Sequence, residues 1–356
     1  LLQQVTQISF AIDKLSSIHF STVTPTCETI SNFGFNIVGS KQIGASVPKY
    51  SLDTSTNGSG KLDLDSMEWD SYAISPTDAT RYLSGINPLN PVAVNPNGSQ
   101  NIQLIVVPKN PNGFVITVKD NSTLLPLSGA TVKLTKDSGG FEGTLLTGQG
   151  YISQTDWSLG SGQESFLDPS KYFFDDGNID TSTTSGQIKL RNAFGQYNSD
   201  GVLESSTFDT GSASNFFSLI WSPMDQPILA GVNSARFQFA TNATITPTTT
   251  WAFKGPDGND TSYYVSSNSS LNSTHNGDKY ARHRVYLSTQ TATVTPNISD
   301  IAFTYTSDCV PPGQVIFTEL STGNYTLEVS KVGYSSYTAS VAVGTGWQES
   351  QILLSP

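Results

Sequence analysis

The chain has 356 residues, of which 13% are charged and 10% aromatic, and its formal net charge is −11. That length supports two or three domains with their own cores. The acidic balance, with no basic run anywhere, excludes nucleic acid as a partner, because phosphate binding needs clustered Lys and Arg.

Abundant Ser, Thr, Asn and Gly beside many aromatics favour strands and turns over helices and exclude a disordered linker. Residues 1–20 nevertheless carry apolar side chains at positions 1, 5, 8, 12 and 15, a helical spacing that predicts a short N-terminal amphipathic helix. It is too polar and too short to span a bilayer. It is either a cap or the continuation of a more hydrophobic helix. Residues 25–108 predict a first β-sandwich, and Pro108 to Gly113 reads as a linker because two prolines and Asn-Gly break regular structure. A second sandwich is expected over 114–156 and 306–356. Between its parts lie residues 157–305, too long for a bare loop, which predict a separate jelly-roll-like β-sandwich. The expected fold class is therefore all-β with one short helix.

The strongest internal signal is a repeat. Residues 59–74 overlie 312–327 without a gap: Gly60 falls on Gly313, Leu62 on Val315, Leu64 on Phe317, Met67 on Leu320, Tyr72 on Tyr325 and Ile74 on Leu327. Apolar residues at every second position put one face of each strand in a core. Together with Phe114–Val118 and Leu127–Leu134, this pattern resembles the carboxypeptidase-regulatory-like family. That resemblance implies small seven-stranded sandwiches of prealbumin type. The insert, with Glu204–Gly211, Trp221, Arg236–Asn242, Trp251 and Tyr280–Thr289, resembles laminin-G-like and carbohydrate-binding sandwiches. A helix followed by β-domains resembles pilin-like surface proteins of the type IV or minor-pilin kind, although the Gly-Phe-x-Leu-Ile-Glu prepilin motif is absent. The resemblance implies an extracellular, cell-surface or pilus location, and self-assembly through the N-terminal helix or contact with other surface components.

Few residues suggest chemistry. Cys27 and Cys309 lack metal-ligand spacing, which excludes a structural zinc. In an exported chain they form one long-range disulfide or remain two thiols. None of the three histidines, His19, His275 and His283, is paired with a nucleophile, and His283 alternates with Arg282 and Arg284 as an inward core residue would. No hydrolase, metalloprotease or P-loop motif occurs, so no enzyme activity and no cofactor are expected. Asp176, Asn178 and Asp180 alternate as calcium ligands do, yet Thr181 and Gln187 stand where an EF-hand needs Gly and Glu, and an acidic turn is the competing reading. Lys119 invites comparison with pilin domains that form Lys–Asn isopeptide bonds, but no matching acid and Asn are found. Nine Asn-x-Ser/Thr sequons, beginning at Asn57, accord with a glycosylated surface protein. Trp251, Tyr263 and Tyr264 border loops and are the candidates for stacking on a glycan, whereas Trp221 lies in a strand and reads as core. The functional expectation is a non-enzymatic structural or adhesive protein; the alternative is a glycan-binding protein that uses the insert.

Overall fold

The computed structural model describes residues 13–110, 112–183, 186–246 and 249–356. Residues 1–12 of the expected helix and Pro111 of the expected linker lie outside that set. Among the described residues there is no α-helix, and most of the chain is strand and turn. The chain divides into two compact units. One holds residues up to Thr24, Glu28–Thr147 and Pro311–Pro356; the other holds Pro25–Cys27 and Gly148–Val310.

The first sandwich is built from β1 (Ser16–Val23), β2 (Gly34–Gly39), β3 (Ser51–Ser55), β4 (Lys61–Met67), β5 (Asp70–Pro76), β6 (Arg81–Asn87), β7 (Val92–Val94) and β8 (Ser99–Pro108). The second begins with β9 (Gly113–Asp120), β10 (Thr131–Lys136) and β11 (Glu142–Leu146). The principal strands of the insert are β12 (Gly150–Gln154), β13 (Asp200–Glu204), β14 (Phe208–Ser222), β15 (Ala235–Asn242), β16 (Asp278–Ser288) and β17 (Asp300–Thr306). The second sandwich then resumes with β18 (Gln314–Phe317), β19 (Gly323–Ser330), β20 (Tyr337–Val343) and β21 (Trp347–Leu354).

The end of the expected helix is corrected: residues 16–23 are β1. Ile18, Phe20 and Thr22 are buried while the residues between them are half-covered, the period of a strand. Leu15, which completed the helical spacing, is 54% exposed. β1 lies inside a sheet, parallel to β8 and antiparallel to β4, so ladder bonds on both edges outweigh a local apolar spacing.

The two sandwiches share one topology. Sheets β4-β1-β8 and β3-β2-β5-β7 of the first correspond to β18-β9-β21 and β11-β10-β19-β20 of the second, with β6 as an additional edge in the first. The repeat read from sequence lies at the same place in both. Gly60 and Gly313 have φ of +69° and +70°, a left-handed backbone that favours glycine. Tyr72 donates its hydroxyl to the Glu68 carbonyl, and Tyr325 donates to the Ser321 carbonyl, each at 2.8 Å. Each sandwich has its own apolar core, one around Phe20, Phe35, Tyr72 and Leu104 and the other around Ile116, Leu134, Tyr325 and Leu327.

Both cores nevertheless belong to one compact unit, because specific contacts join the sandwiches. The Gln314 side-chain amide accepts from the Ile86 N–H and donates to the Ile86 carbonyl, at 3.1 and 2.9 Å. Trp347 Nε1 donates to the Leu83 carbonyl at 2.7 Å.

The point of insertion is defined by a pair of threonines. Thr56 Oγ1 accepts from the Phe33 N–H, and Thr147 Oγ1 accepts from the Ala130 N–H. In the first sandwich only Asn57, Gly58 and Ser59 separate Thr56 from Gly60; in the second, residues 148–312 separate Thr147 from Gly313. The insert thus occupies the place of a three-residue turn, and its compact unit spans Gly148–Val310 where the sequence pattern placed 157–305.

In the insert, the sheet order is β12-β17-β14-β16-β13, with β15 also paired to β16, and every ladder among these strands is antiparallel. Trp157, Phe208, Phe237, Phe239, Val285 and Phe303 are buried in its core.

Candidate functional site

Strand alternation gives the β13-β16-β15 sheet two chemically different faces. Opposite residues of antiparallel strands share a face, and the register pairs Glu204 with Arg284, Gln238 with Arg284 and Arg236 with Tyr286. Glu204, Arg236, Gln238, Arg282, Arg284 and Tyr286 therefore line one face. Leu203, Phe237, Phe239, His283, Val285 and Leu287 line the other and face the core.

The polar face is held by a network centred on the buried Arg282. Arg282 is 1% exposed; it donates from Nη1 to Glu204 Oε1 and from Nε to Thr207 Oγ1, both at 2.7 Å, and from Nη2 to Glu164. Arg284 Nη2 donates to Glu204 Oε2 at 2.7 Å. Desolvation is the largest influence on Arg284 and opposes its charge, but hydrogen bonds to Glu204 and Tyr286 and their charges outweigh it, so its pKa lies above the usual value.

Aromatic rings stack on the same guanidinium groups. Arg282 lies 4.1 Å from the Phe173 ring centroid and 4.7 Å from that of Trp251; Arg284 lies 3.8 Å from Phe253, and Arg236 lies 4.8 Å from Tyr263. Such contacts contribute on the order of 0.5–2 kcal/mol each and position the 251–264 segment on the polar face.

Between that segment and the sheet lies a depression of ≈ 450 Å³, lined by Gln238, Trp251, Phe253, Asp260, Tyr263, Arg284 and Tyr286 among others. Its floor is preorganised. Gln238 Nε2 donates to the Asp260 and Ser262 carbonyls at 2.9 and 3.0 Å, and Gln238 Oε1 accepts from the Tyr286 hydroxyl at 2.7 Å. The Asp260 carboxylate forms no ion pair among the described residues. An amphipathic depression of this size, lined by both aromatic rings and polar groups, suits a small polar ligand.

Of the three aromatics singled out in the sequence, Trp251 and Tyr263 line this depression and Tyr264 does not. Tyr264 is 1% exposed and opposes Phe237 in the core, and its hydroxyl accepts from the Asn272 N–H at 3.1 Å. Adjacent residues of an extended segment point to opposite sides, which separates Tyr264 from Tyr263. Trp221 is buried against Phe237, with ring centroids 4.2 Å apart, and Trp157 is fully buried.

The Asp176, Asn178 and Asp180 oxygens are engaged in local hydrogen bonds. Asp176 accepts from the Asn178 and Val202 N–H groups, Asn178 Oδ1 accepts from Asn198, and Asp180 accepts from Ser182 and Thr183. Among the described residues, no group of three or more His, Cys, Asp or Glu side chains is arranged to hold a metal. Lys119 Nζ donates to Gln351 Oε1 at 3.0 Å on an exposed surface. Cys27 and Cys309 are joined by a disulfide within the second unit, S–S 2.07 Å.

His283 lies in the core 5.8 Å from the Phe208 ring, and neither of its ring nitrogens has a hydrogen-bond partner among the described residues. Sequence reasoning missed the Arg282–Glu204–Glu164 network. The alternation Arg282-His-Arg284 marked a charged face, but nothing local marked its carboxylate partners.

No protein-family model matches the chain, the carboxypeptidase-regulatory-like family included, and no curated protein matches it. Solved structures similar to it include a streptococcal ancillary pilin, with 14% identity over 37% of this chain and 46% of that chain at a TM-score of 0.21. Another is GBS52, the minor pilin of Streptococcus agalactiae, with 9% identity over 96% of this chain and 95% of that one, TM-score 0.21. A third is the shaft pilin SpaA of Lactobacillus rhamnosus GG, with 10% identity over 97% of this chain and 98% of that one, TM-score 0.19.

Proposed function

We propose that the chain is a non-enzymatic extracellular protein with a structural and adhesive role. In this reading the two sandwiches are the scaffold and the insert is the recognition unit. The observation that supports this most is the insertion point. A separately cored unit replaces a three-residue turn of a repeated sandwich without supplying any of its seven strands, which is how a scaffold accommodates an added module. The acidic composition, the disulfide and the nine sequons accord with an exported chain. A pilus or pilus-like filament subunit is the specific form of this role that we favour.

The test uses the native protein. Protease treatment of intact cells is expected to release the chain, and beads coated with the full chain should adhere to target surfaces. The same preparation should produce no new reducing ends from polysaccharides. Sustained polysaccharide turnover, or a chain that remains protected inside intact cells, would overturn the proposal.

A further inference from the structure

The depression on the polar face of the insert has a charge balance that selects among ligands. Arg284 and Asp260 line it; Arg236, Arg282, Glu164 and Glu204 do not line it but belong to the surrounding contacts, so three guanidinium groups stand against three carboxylates in and around the depression. Lys254 also borders the depression, but it pairs in the backbone with Phe239, a core-facing residue, and its charge acts on buried His275. Apart from Lys254, the charged groups in and around the depression therefore balance, which leaves little net charge with which to hold an anionic or a cationic ligand.

Its other features suit a sugar ring. A pyranose has an apolar face of C–H groups and an edge of adjacent hydroxyls that each donate and accept. Trp251 and Tyr263 are only half-covered, and no other ring stacks on Trp251 among the described residues. Asp260 supplies a carboxylate with no ion pair among the described residues, and Arg284, held by Glu204, and Tyr286, whose hydroxyl donates to Gln238, add a guanidinium and a phenol oxygen to the same lining. The Gln238 bonds fix the backbone of Asp260 and Ser262 before any ligand arrives, which lowers the ordering cost of binding.

We infer that this depression binds a neutral saccharide, with a pyranose stacked on Trp251 or Tyr263 and its hydroxyls shared between Asp260 and Arg284. The inference rests on the reading of the insert as the recognition unit and names its ligand class.

The experiment uses the full chain in calorimetric titrations with neutral tetrasaccharides of glucose, galactose and mannose and with the matching uronate oligomers. At least one neutral oligomer is expected to bind at least 10-fold more tightly than its uronate counterpart. Asp260→Ala should weaken that binding at least 10-fold. Asp260 is exposed, and its contact with Gln238 uses the main-chain carbonyl, so the fold is retained and an unchanged melting temperature verifies it. As a second variant, Trp251→Phe keeps a ring over Arg282 and should weaken binding through the smaller stacking surface. Equal or tighter uronate binding, or an Asp260→Ala affinity equal to the parent's, overturns the inference. Binding to no sugar while coated beads still adhere also overturns it and leaves the adhesive reading standing. Absence of both sugar binding and adhesion removes the adhesive reading itself.

Discussion

At the scale of single residues, the insert holds its polar groups in two opposite ways. Arg282 is buried with its charge, and three hydrogen bonds and two rings compensate its desolvation. His283 and His275 are buried without charge. Desolvation pushes the His283 pKa down to about 3; desolvation first, and then the charge of Lys254, pushes that of His275 down to about 4. Both values lie below the ~6.5 of an unfolded chain, so on acidification the unfolded state takes up protons that the folded state refuses. Stability from the two neutral imidazoles is complete above pH ~6.5 and is lost as the pH falls through the window down to about 4 for His275 and about 3 for His283. Between pH 7 and 5 the insert should lose about 3 to 4 kcal/mol. Denaturant melts across that range measure the slope, and His283→Phe should roughly halve it; a flat profile in the parent would show that the imidazoles are not buried in this way.

Among the elements, the repeated hairpin explains how a large insert is accommodated. Both copies begin at a left-handed glycine, Gly60 or Gly313, where a Cβ would meet backbone carbonyl oxygen at 2.8 or 2.9 Å. Both copies also close on a tyrosine that bonds four residues back. The connection between the threonine and that glycine contributes nothing to either sheet, so its length is set only by loop closure, whose cost rises slowly with length. Replacing residues 148–312 by Asn-Gly-Ser in a Cys27→Ser background should therefore leave a folded protein of two sandwiches. Circular dichroism and a cooperative melt would show this. A chain unfolded at 25 °C would mean that the second sandwich depends on its insert.

Across the whole molecule, the disulfide is the longest-range covalent constraint. It joins residues separated by 282 positions. On the chain-entropy account, a loop of that size restricts the unfolded state by up to about 5 kcal/mol. Reduction should lower the calorimetric transition of the second unit, to which both cysteines belong, and a scan unchanged by reductant would refute that role. The sequence by itself determined the all-β class and the repeated hairpin, because turn glycines and two-residue alternation are local rules that every copy must obey. It misread residues 16–20, since apolar residues at 12 and 15 imitate a helix while ladder partners 82 positions away (99 − 17), Ser99–Ile102, decide for strand. Only the tertiary structure brought Arg282 to Glu164, 118 positions distant, separated Tyr263 from Tyr264, and joined Cys27 to Cys309. Those outcomes depend on which strands become neighbours, and that is fixed by the packing of whole sheets, not by the residues on either side.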